Sequence, residues 1–340
     1  MNASSVVVAV DAMGGDHGVS VTVAASIDTV QADPNLRLIL VGDERSIKNE
    51  LGRCRNYSAV KDRIEIKHTT EVVAMDEKPS VAMRNKKDSS MRVSINLVKE
   101  KVADASVSAG NTGALMAISR FVLKTPPGID RPAIVFNIPS MAGHCHLLDL
   151  GANVDCSAEQ LYQFGLMGSI LSQAVDGIPA PRVGLLNIGT EEIKGNEVIK
   201  EAADLLRADP QINYVGFIEA DGIFQGEADV VACDGFAGNV ALKACEGTAR
   251  LFAKYIREGI NQNLLTKLSG LTFLPVLNGL KKRMDPGEYN GGTMIGLRGV
   301  VIKSHGGADQ ASFATAIRLA ALEVEKNIPR LIEDWFTDKT

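Results

Sequence analysis

The sequence predicts an α/β fold built on a mostly parallel sheet with helices on both faces. Short apolar runs typical of buried strands alternate with segments whose apolar residues recur at helical spacing. A β-branched run at residues 5–10 precedes an apolar-rich helix at 21–30 and a second strand at 36–41. Such alternation is typical of parallel strands joined by crossover helices. No linker composition divides the chain, so we expect one interwoven α/β domain over residues 1–340.

The same patterns assign the remaining elements. The predicted helix at 114–123 ends before a Pro-Pro-Gly sequence, and a long helix at 158–175 ends where 177–181 breaks the pattern. Residues 75–88 are polar and charged, which indicates a solvated surface segment or, alternatively, a basic wall beside the site. Further strands are predicted at 64–68, 105–108, 134–138, 146–150, 183–186, 214–218, 230–232 and 298–303. Further helices are predicted at 46–51, 91–101, from 198 onward, 240–262 and 311–325.

Composition and charge limit the classes of function. The 340 residues are 45% hydrophobic and carry a net charge of −5, which is ordinary for a globular protein and argues against general nucleic-acid binding. The five cysteines include no Cys-x-x-Cys pair, so we expect a reducing compartment without disulfides. No basic leader precedes the first strand, and no uncharged apolar run approaches the roughly 18–20 residues that span a bilayer. These features predict a cytoplasmic protein.

Several nucleotide-binding and hydrolase motifs are missing. The chain has no Gly-x-Gly-x-x-Gly, no Gly-Lys-Ser/Thr, no Gly-x-Ser-x-Gly and no His-Glu-x-x-His sequence. These absences disfavour nicotinamide, P-loop, α/β-hydrolase and zincin chemistry.

The stretch at residues 183–197 has the design of a ligand-binding loop. Its predicted strand ends at Leu186, polar residues and glycines follow at once, and a helical pattern begins at Val198. Ligands of open α/β sheets bind at this edge, and free amides at a helix start favour an anion. Lys194 adds a positive charge. The alternative is an ordinary strand–loop–helix connection.

Three further loops, at 109–113, 151–155 and 233–239, repeat this design. Each of the four loops carries an asparagine beside glycines, namely Asn111, Asn153, Asn187 and Asn239. Asparagine can donate a hydrogen bond to phosphate or to a developing oxyanion, although it also favours turns. Acidic residues can orient these donors or bind a metal: Asp11, Asp16, Asp155 and Asp234. The loops together predict a site for a small anion and a polarisable carbonyl, with Lys194 and His305 as candidate cations.

Histidine and nucleophile patterns add little. His144 and His146 can share one strand face. Two ligands without a third are weak evidence for a metal-binding site, so no metal site is predicted. Neither Ser108 nor Thr112 has a histidine beside it in sequence. Direct attack by a bound substrate is therefore the simpler hypothesis.

Six short motifs connect the chain to a known family. They are VDAMGGDHG (10–18), VSAGNTGAL (107–115), LDLGANVD (148–155), LLNIGTEEIKGNE (185–197), CDGFAGNV (233–240) and GGTMIGLRGVVIKSHG (291–306). In this order they resemble the bacterial phosphate acyltransferases of phospholipid synthesis, over nearly the whole chain.

The resemblance implies a Rossmann-like three-layer α/β/α sandwich, similar to phosphotransacetylases and isocitrate-dehydrogenase-type enzymes. It implies that fatty acyl-acyl carrier protein and inorganic phosphate are converted into acyl phosphate and free carrier, without a cofactor. The product would pass to a membrane-bound glycerol-3-phosphate acyltransferase. The resemblance further implies a homodimer bound peripherally to the inner face of the cell membrane.

The loops and the resemblance agree on direct attack of bound phosphate on the thioester. Catalytic roles are predicted for Lys194, Asn187, Asn239, Asn153, Asp234 and His305. Phosphate or substrate contacts are predicted for Asp11, Gly14, Gly15, Ser108, Gly110, Asn111, Thr112, Gly189, Thr190, Glu191, Gly195, Asn196 and Gly235.

Residues 264–284 are predicted to form two short amphipathic helices that project from the domain, with Pro275 in the first turn of the second. Three interpretations stay open: hydrophobic packing or a dimer contact, a membrane-surface anchor, or a basic surface for the acidic carrier protein. Membrane or carrier contacts are predicted for Leu271, Leu274, Leu277, Lys281, Lys282 and Arg283.

Rival functions are a phosphotransacetylase-like transfer that uses acyl-coenzyme A, and a non-catalytic membrane-associated scaffold. A nicotinamide-dependent dehydrogenase on a related fold is disfavoured by the missing dinucleotide motif.

Overall fold

One eleven-stranded sheet connects the described parts of the chain. The computed structural model describes residues 5–263, 266–267, 279 and 290–338. The strands are β1 (Val6–Asp11), β2 (Leu36–Gly42), β3 (Ile64–His68), β4 (Ala105–Ser108), β5 (Ala133–Ser140), β6 (Gly143–Leu148), β7 (Arg182–Leu186), β8 (Asn213–Ile218), β9 (Val230–Ala232), β10 (Gly292–Ile295) and β11 (Val300–Lys303). The helices are α1 (Val19–Ala32), α2 (Glu44–Arg53), α3 (Tyr57–Val60), α4 (Pro79–Asn85), α5 (Ser90–Lys99), α6 (Thr112–Leu123), α7 (Ala158–Asp176), α8 (Glu197–Ala208), α9 (Ala220–Gln225), α10 (Gly235–Asn261), α11 (Gln310–Glu325) and α12 (Ile328–Asp338).

The sheet has the strand order β3-β2-β1-β4-β11-β10-β5-β6-β9-β7-β8. Seven of the ten described pairings are parallel. The other three, β11–β10, β10–β5 and β5–β6, are antiparallel. The predicted α/β fold with a mostly parallel sheet is therefore confirmed. Because three antiparallel pairings follow one another, β6, β9, β7 and β8 run opposite to β1, β4 and β11.

Helices cover both faces of the sheet and give three layers. In β1, Val8 and Val10 face α1 and α11, whereas Ala9 between them faces α5 and α6. In β6, Leu148 packs towards α7, α8 and α12, whereas Leu147 packs towards α9. This alternation follows from the two-residue period of a strand. The three-layer α/β/α arrangement implied by the resemblance is confirmed.

The centre of the sheet departs from the parallel pattern. The predicted strands at 134–138 and 146–150 correspond to β5 and β6, which form an antiparallel hairpin with Ser140 opposite Gly143. A parallel connection needs a crossover of about a dozen residues or more, and the turn between these strands is far shorter. The hairpin therefore helps to reverse the strand direction between the two halves of the sheet.

Five elements were not predicted: α3, α4, α9, β10 and α12. The helix α4 lies within residues 75–88, whose polar composition predicted a solvated surface segment. The helix α10 begins at Gly235 and not at residue 240, because the Asp234 side chain accepts a hydrogen bond from the Ala237 amide and caps the glycine-rich first turn.

The predicted projecting pair at 264–284 lies outside the described residues, apart from 266, 267 and 279. This includes the predicted contact residues Leu271, Leu274, Leu277, Lys281, Lys282 and Arg283. Within the described ranges, every helix falls short of the length or the apolarity that crossing a bilayer requires.

Candidate active site

The loops that follow β1, β4 and β11 meet at one edge of the sheet, and we call residues 11–18, 108–113 and 303–307 the first loop group. Asp11 and Ser108 are buried there, and the Ser108 hydroxyl donates a 2.6 Å hydrogen bond to the Asp11 carboxylate. The Gly110 amide donates to the same hydroxyl at 3.0 Å. Burial raises the pKa of Asp11, while the hydrogen bond from Ser108 opposes the rise. A chain of hydrogen bonds thus connects two of the predicted loops.

Glycines let these loops approach each other closely. A Cβ atom added to Gly14 would lie 2.8 Å from the Gly110 amide nitrogen and 2.8 Å from an Asp11 carboxylate oxygen. Gly15 has a φ of +88°, and its added Cβ would lie 2.9 Å from the Gly306 carbonyl oxygen. Larger side chains have no room at either position. The predicted phosphate contacts Asp11, Gly14, Gly15, Ser108 and Gly110 therefore lie together.

Lys303 is the principal residue of this group that the sequence analysis did not single out. It ends β11, is 5% exposed, and donates hydrogen bonds to the carbonyl oxygens of Ala109, at 3.4 Å, and Ser304. Burial lowers its pKa to about 8, although the negative charges of Asp11 and Asp16 oppose this. The signal in the sequence was a lysine directly after the apolar run Val300–Ile302 and before the glycine-containing loop. A buried cation beside the Gly110 loop can attract an anion.

His305 and helix α10 add further charged groups to the first loop group. The His305 ring accepts a 3.1 Å hydrogen bond at Nδ1 from the Gly307 amide, which requires an unprotonated Nδ1. Partial desolvation lowers the pKa of His305, while the nearby charge of Glu246 raises it. Lys243, also on α10, lies close enough to lower the pKa of both His305 and Lys303. This arrangement favours a neutral His305 whose Nε2–H can donate.

Asn111 has structural partners on both sides of its amide group. Its Oδ1 accepts from the Ala114 amide and caps α6, while its Nδ2 donates to the Met75 and Glu77 carbonyls at 2.8 and 3.0 Å. Its predicted contact with phosphate would require some of these bonds to break. Thr112 at the start of α6 is exposed, so the first turn of the helix is open to solvent.

The loops after β6, β7 and β9 form a second loop group, which we define as residues 149–155, 187–196 and 233–239. Its buried centre is Asp149, which the sequence analysis did not select. The Asp149 carboxylate accepts hydrogen bonds from the backbone amides of Ile134 at 2.8 Å and Asn153 at 2.6 Å. Burial raises the pKa of Asp149, and these hydrogen bonds oppose the rise. Asp149 therefore holds the 149–155 loop in place.

Two predicted catalytic residues of this group have capping or anchoring contacts. Asn153 is buried and uses its amide nitrogen to donate to the Pro132 carbonyl at 2.9 Å and to Asp149 at 3.1 Å. A role for Asn153 as an oxyanion donor would require one of these hydrogen bonds to break. Asp234 caps α10. The amide of Gly235, predicted to contact phosphate, already donates to the Asn153 carbonyl at 2.7 Å.

The 187–196 loop combines two buried residues, Asn187 and Gly189, with several exposed ones. Asn187 donates to the Gly189 carbonyl at 3.1 Å, and its Oδ1 is buried without a hydrogen-bond partner among the described residues. Asn196, a predicted phosphate contact, instead caps α8 by accepting from the Ile199 amide. Lys194 is exposed, as are Thr190 and Glu191.

Asn239 is an exposed asparagine of the second loop group. It is exposed on the second turn of α10 and lies beside Gly151, whose added Cβ would be 3.7 Å from the Asn239 side chain. Large apolar side chains are exposed in the same group: Val154, Ile188, Ile193 and Phe236.

The two loop groups do not form one continuous cluster. The strands that end at them run in opposite directions, and no hydrogen bond or ion pair of the described chain joins residues 110–112 to residues 189–194. Helix α10 spans between the groups, from Gly235 in the second to Lys243 and Glu246 near His305 in the first. At 1.5 Å per residue this stretch covers about 12–16 Å. Lys194 and residues 110–112, which the loop pattern assigned to one small-anion site, therefore lie in separate loop groups.

A family model described as "Fatty acid synthesis protein" matches residues 6–331. The chain belongs to this family. A phosphate acyltransferase from Alkalilimnicola ehrlichii is 57% identical over 329 residues, covering 97% of this chain and 95% of the relative. One from Methylococcus capsulatus is 57% identical over 331 residues, covering 97% of each chain. The resemblance seen in the six motifs is confirmed.

Solved structures support the fold assignment. A phosphotransacetylase from Streptococcus pyogenes has a TM-score of 0.61, is 17% identical and covers 94% of both chains. The EutD phosphotransacetylase from Staphylococcus aureus has a TM-score of 0.56 at 16% identity and covers 94% of this chain and 95% of its own. At these identities the likeness concerns the fold alone.

Proposed function

We propose that this protein transfers a long-chain fatty acyl group from acyl-acyl carrier protein to inorganic phosphate, which yields acyl phosphate for phospholipid synthesis. The observation that carries the proposal is the first loop group, where the buried Lys303 and the open first turn of α6 flank the Gly110 backbone. Buried cations and helix N-termini both favour anions. Relatives that match nearly the whole chain and are named phosphate acyltransferase support the acceptor.

The proposed reaction needs no covalent enzyme intermediate. A phosphate oxygen attacks the thioester carbonyl carbon and forms the new C–O bond. The resulting oxyanion collapses, the C–S bond breaks, and the carrier thiolate leaves and takes up a proton. A thiol pKa of roughly 8.5, by analogy with cysteine, makes this a good leaving group. The attacking hydrogen phosphate releases one proton, which balances the proton that the thiolate takes up. The Nε2–H of a neutral His305 would donate a hydrogen bond to the leaving sulfur.

Phosphate in this proposal binds to the first loop group. Its oxygens would accept from the start of α6 at Thr112, with Lys303 neutralising charge. Asp11 and Ser108 act indirectly, because their mutual hydrogen bond and the bond to the Gly110 amide hold the loop. Fixed donors cost no reorganisation during the reaction, which is how such sites accelerate acyl transfer.

The acyl thioester in this proposal approaches from the second loop group. Asn239 is the candidate oxyanion donor closer to phosphate, because it lies about one turn of α10 before Lys243, whose charge acts on His305. Asn187 and Lys194 are the candidate donor and cation on the rest of the second loop group. The apolar side chains of Ile188 and Ile193 are 80% and 82% exposed. They would offer contacts to an acyl chain. Burying such side chains is favourable at roughly 25 cal/mol per Å² of apolar surface. A long chain is thus the acyl group that this surface suits.

The remaining parts of the proposal concern partners and location. Residues 264–284 combine leucines with the sequence Lys281-Lys282-Arg283, which suits anionic lipid or an acidic carrier protein. We propose that the protein is a homodimer. We also propose that it works in the cytoplasm, bound peripherally to the inner face of the cell membrane. A membrane glycerol-3-phosphate acyltransferase would consume the product.

A turnover assay tests the reaction directly. Purified protein is incubated with palmitoyl-acyl carrier protein and phosphate, and free carrier thiol and hydroxylamine-trappable acyl phosphate are counted. Phosphate-dependent release of both products in equal amounts is the expected result. A parallel reaction with palmitoyl-coenzyme A tests the phosphotransacetylase-like alternative, which predicts turnover of this donor in place of palmitoyl-acyl carrier protein. Folded protein that releases neither product over several chain lengths, yet floats with liposomes, would favour the scaffold function instead.

A further inference from the structure

A cluster of metal-ligating side chains lies at the start of β6, at the opposite end of that strand from the second loop group. The Nε2 atom of His144 is 3.1 Å from one Asp176 carboxylate oxygen, and the Nε2 atom of His146 is 2.7 Å from the other. One ligand atom from each of the three residues lies within 4.8 Å of the other two. The two histidines have no third ligand near them in sequence, and Asp176 at the end of α7 supplies it.

We propose that His144, His146 and Asp176 bind a divalent transition-metal ion, with Zn²⁺ as the first candidate. Two imidazole nitrogens and one carboxylate oxygen, with a position left for water, form a donor set that Zn²⁺ commonly uses. The same set suits Fe²⁺, Co²⁺ and Ni²⁺. The site takes no part in the proposed acyl transfer, and the inference does not depend on that reaction.

The spacing of the ligand atoms is close to the spacing found in metal sites. Zinc bonds to nitrogen and oxygen are about 2.0–2.2 Å long, so neighbouring ligands of a tetrahedral site lie about 3.3 Å apart. The two nitrogen–oxygen distances of 3.1 and 2.7 Å are slightly shorter. These distances run to the two different oxygens of Asp176, so an ion would draw the two nitrogens and one oxygen, now within 4.8 Å of one another, to a similar distance from itself.

The backbone holds all three ligands on ordered elements. His144 and His146 are two residues apart on β6, so their side chains share one face of the strand, and they pair with Pro139 and Asn137 of β5. Asp176 is the last residue of α7. One turn earlier, the Ser172 hydroxyl donates a 2.9 Å hydrogen bond to the Asp176 carboxylate. Such outer hydrogen bonds typically orient metal ligands.

Exposure and charge are also compatible with a cation. The side chain of His146 is 3% exposed, while those of Asp176 and His144 are 14% and 28% exposed, which leaves a route for the ion and its water. The nearby carboxylate of Asp229 is neutralised by Arg182, at 2.8 Å. Asp176 is therefore the carboxylate left to compensate the ion. The metal would tie the β5–β6 hairpin to the end of α7.

Metal binding is measured on full-length protein without a histidine tag, stripped by chelator and dialysed. Titration with ZnCl₂ is expected to give one ion per chain by elemental analysis and a rise in the melting temperature. Substituting Co²⁺ should give visible absorption bands from the bound ion.

Matched variants assign the site. His144→Gln and Asp176→Asn keep hydrogen-bonding groups but remove ligands, so each should weaken Zn²⁺ binding by at least about 100-fold and abolish the melting shift. Ser172→Ala should weaken it by about 10–100-fold through loss of the orienting hydrogen bond. His68→Gln, at an exposed histidine elsewhere, should bind like the parent protein.

Two outcomes would overturn the proposal. One is a parent protein that binds no more Zn²⁺ than Asp176→Asn does, which would leave an ordinary His–Asp hydrogen-bonded cluster. The other is a bound ion that the His144→Gln and Asp176→Asn variants retain with unchanged affinity, which would place it elsewhere on the chain.

Discussion

The first and second loop groups differ in how they hold their polar residues. In the first, Asp11, Ser108 and Lys303 are 1%, 0% and 5% exposed and are fixed by short contacts. In the second, buried residues hold the backbone, while Lys194 and Asn239 project into solvent. Buried, hydrogen-bonded groups are preorganised, whereas exposed side chains can adapt. The comparison indicates a fixed site for a small anion beside an adaptable surface for a large flexible substrate.

The strongest test of this comparison is Lys303→Met, which removes the buried charge but keeps the length of the side chain. We expect kcat/KM for phosphate to fall by about 10²–10³, as for the loss of one preorganised electrostatic contact. Steady-state rates at varied phosphate measure the effect. Lys326→Met, at an exposed lysine, is the matched control. Equal kinetics of both variants would remove Lys303 from the phosphate site.

The second test separates two asparagines of the second loop group. Asn239→Ala removes an exposed side chain, and we expect a loss of about 10² in kcat with unchanged thermal stability if it is an oxyanion donor. Asn153→Ala breaks the bonds to Pro132 and Asp149, so the free energy of unfolding should fall by about 1–3 kcal/mol. Denaturant unfolding and turnover are measured on both variants. The opposite pattern would return Asn153 to the catalytic role.

The third test concerns the exposed cation of the second loop group. Lys194→Ala should raise the phosphate KM or lower kcat at least about tenfold, by removing a charge from the reacting groups. This loss is smaller than that at Lys303 because water screens an exposed charge. Lys99→Ala, exposed at the end of α5, serves as the control. Parent-like kinetics from Lys194→Ala would contradict a catalytic role for Lys194.

The smallest effect is a dependence on pH. The pKa of Lys303 is lowered to about 8, so the residue loses its charge as the pH rises through that value. Phosphate KM should therefore increase about fourfold between pH 7 and 8.5, and Lys303→Met should lose this dependence.

The same shift has a consequence for stability. Between about pH 8 and 10.4 the unfolded chain holds a proton on this lysine that the folded protein has lost. The free energy of unfolding should therefore rise with pH across this window, and Lys303→Met should show less of that rise. A parent protein with the same slope as the variant would contradict the lowered pKa.

Local patterns predicted many elements well and failed where partners are distant. The strands β3 and β4 have the predicted bounds, because short apolar or β-branched runs between polar residues have few alternatives. Asn111, Asn153 and Asn196 were selected for the ligand chemistry of their amides. In the structure these side-chain amides instead cap helices or hold loops in place. The backbone groups that they contact come close to them only after folding.

The amino-acid sequence by itself determined the α/β class, the glycine-rich loops at strand ends and the family. These properties follow from local periodicity and from the chemistry of short motifs. Only the tertiary structure decided that three antiparallel pairings reverse the strand direction between the two halves of the sheet. It also brings Lys303, near the end of the chain, to the loop group of Asp11, near its start. Finally, it places Asp176 beside two histidines of β6. Strand order and helix packing depend on contacts between residues far apart in sequence, which a local pattern does not encode.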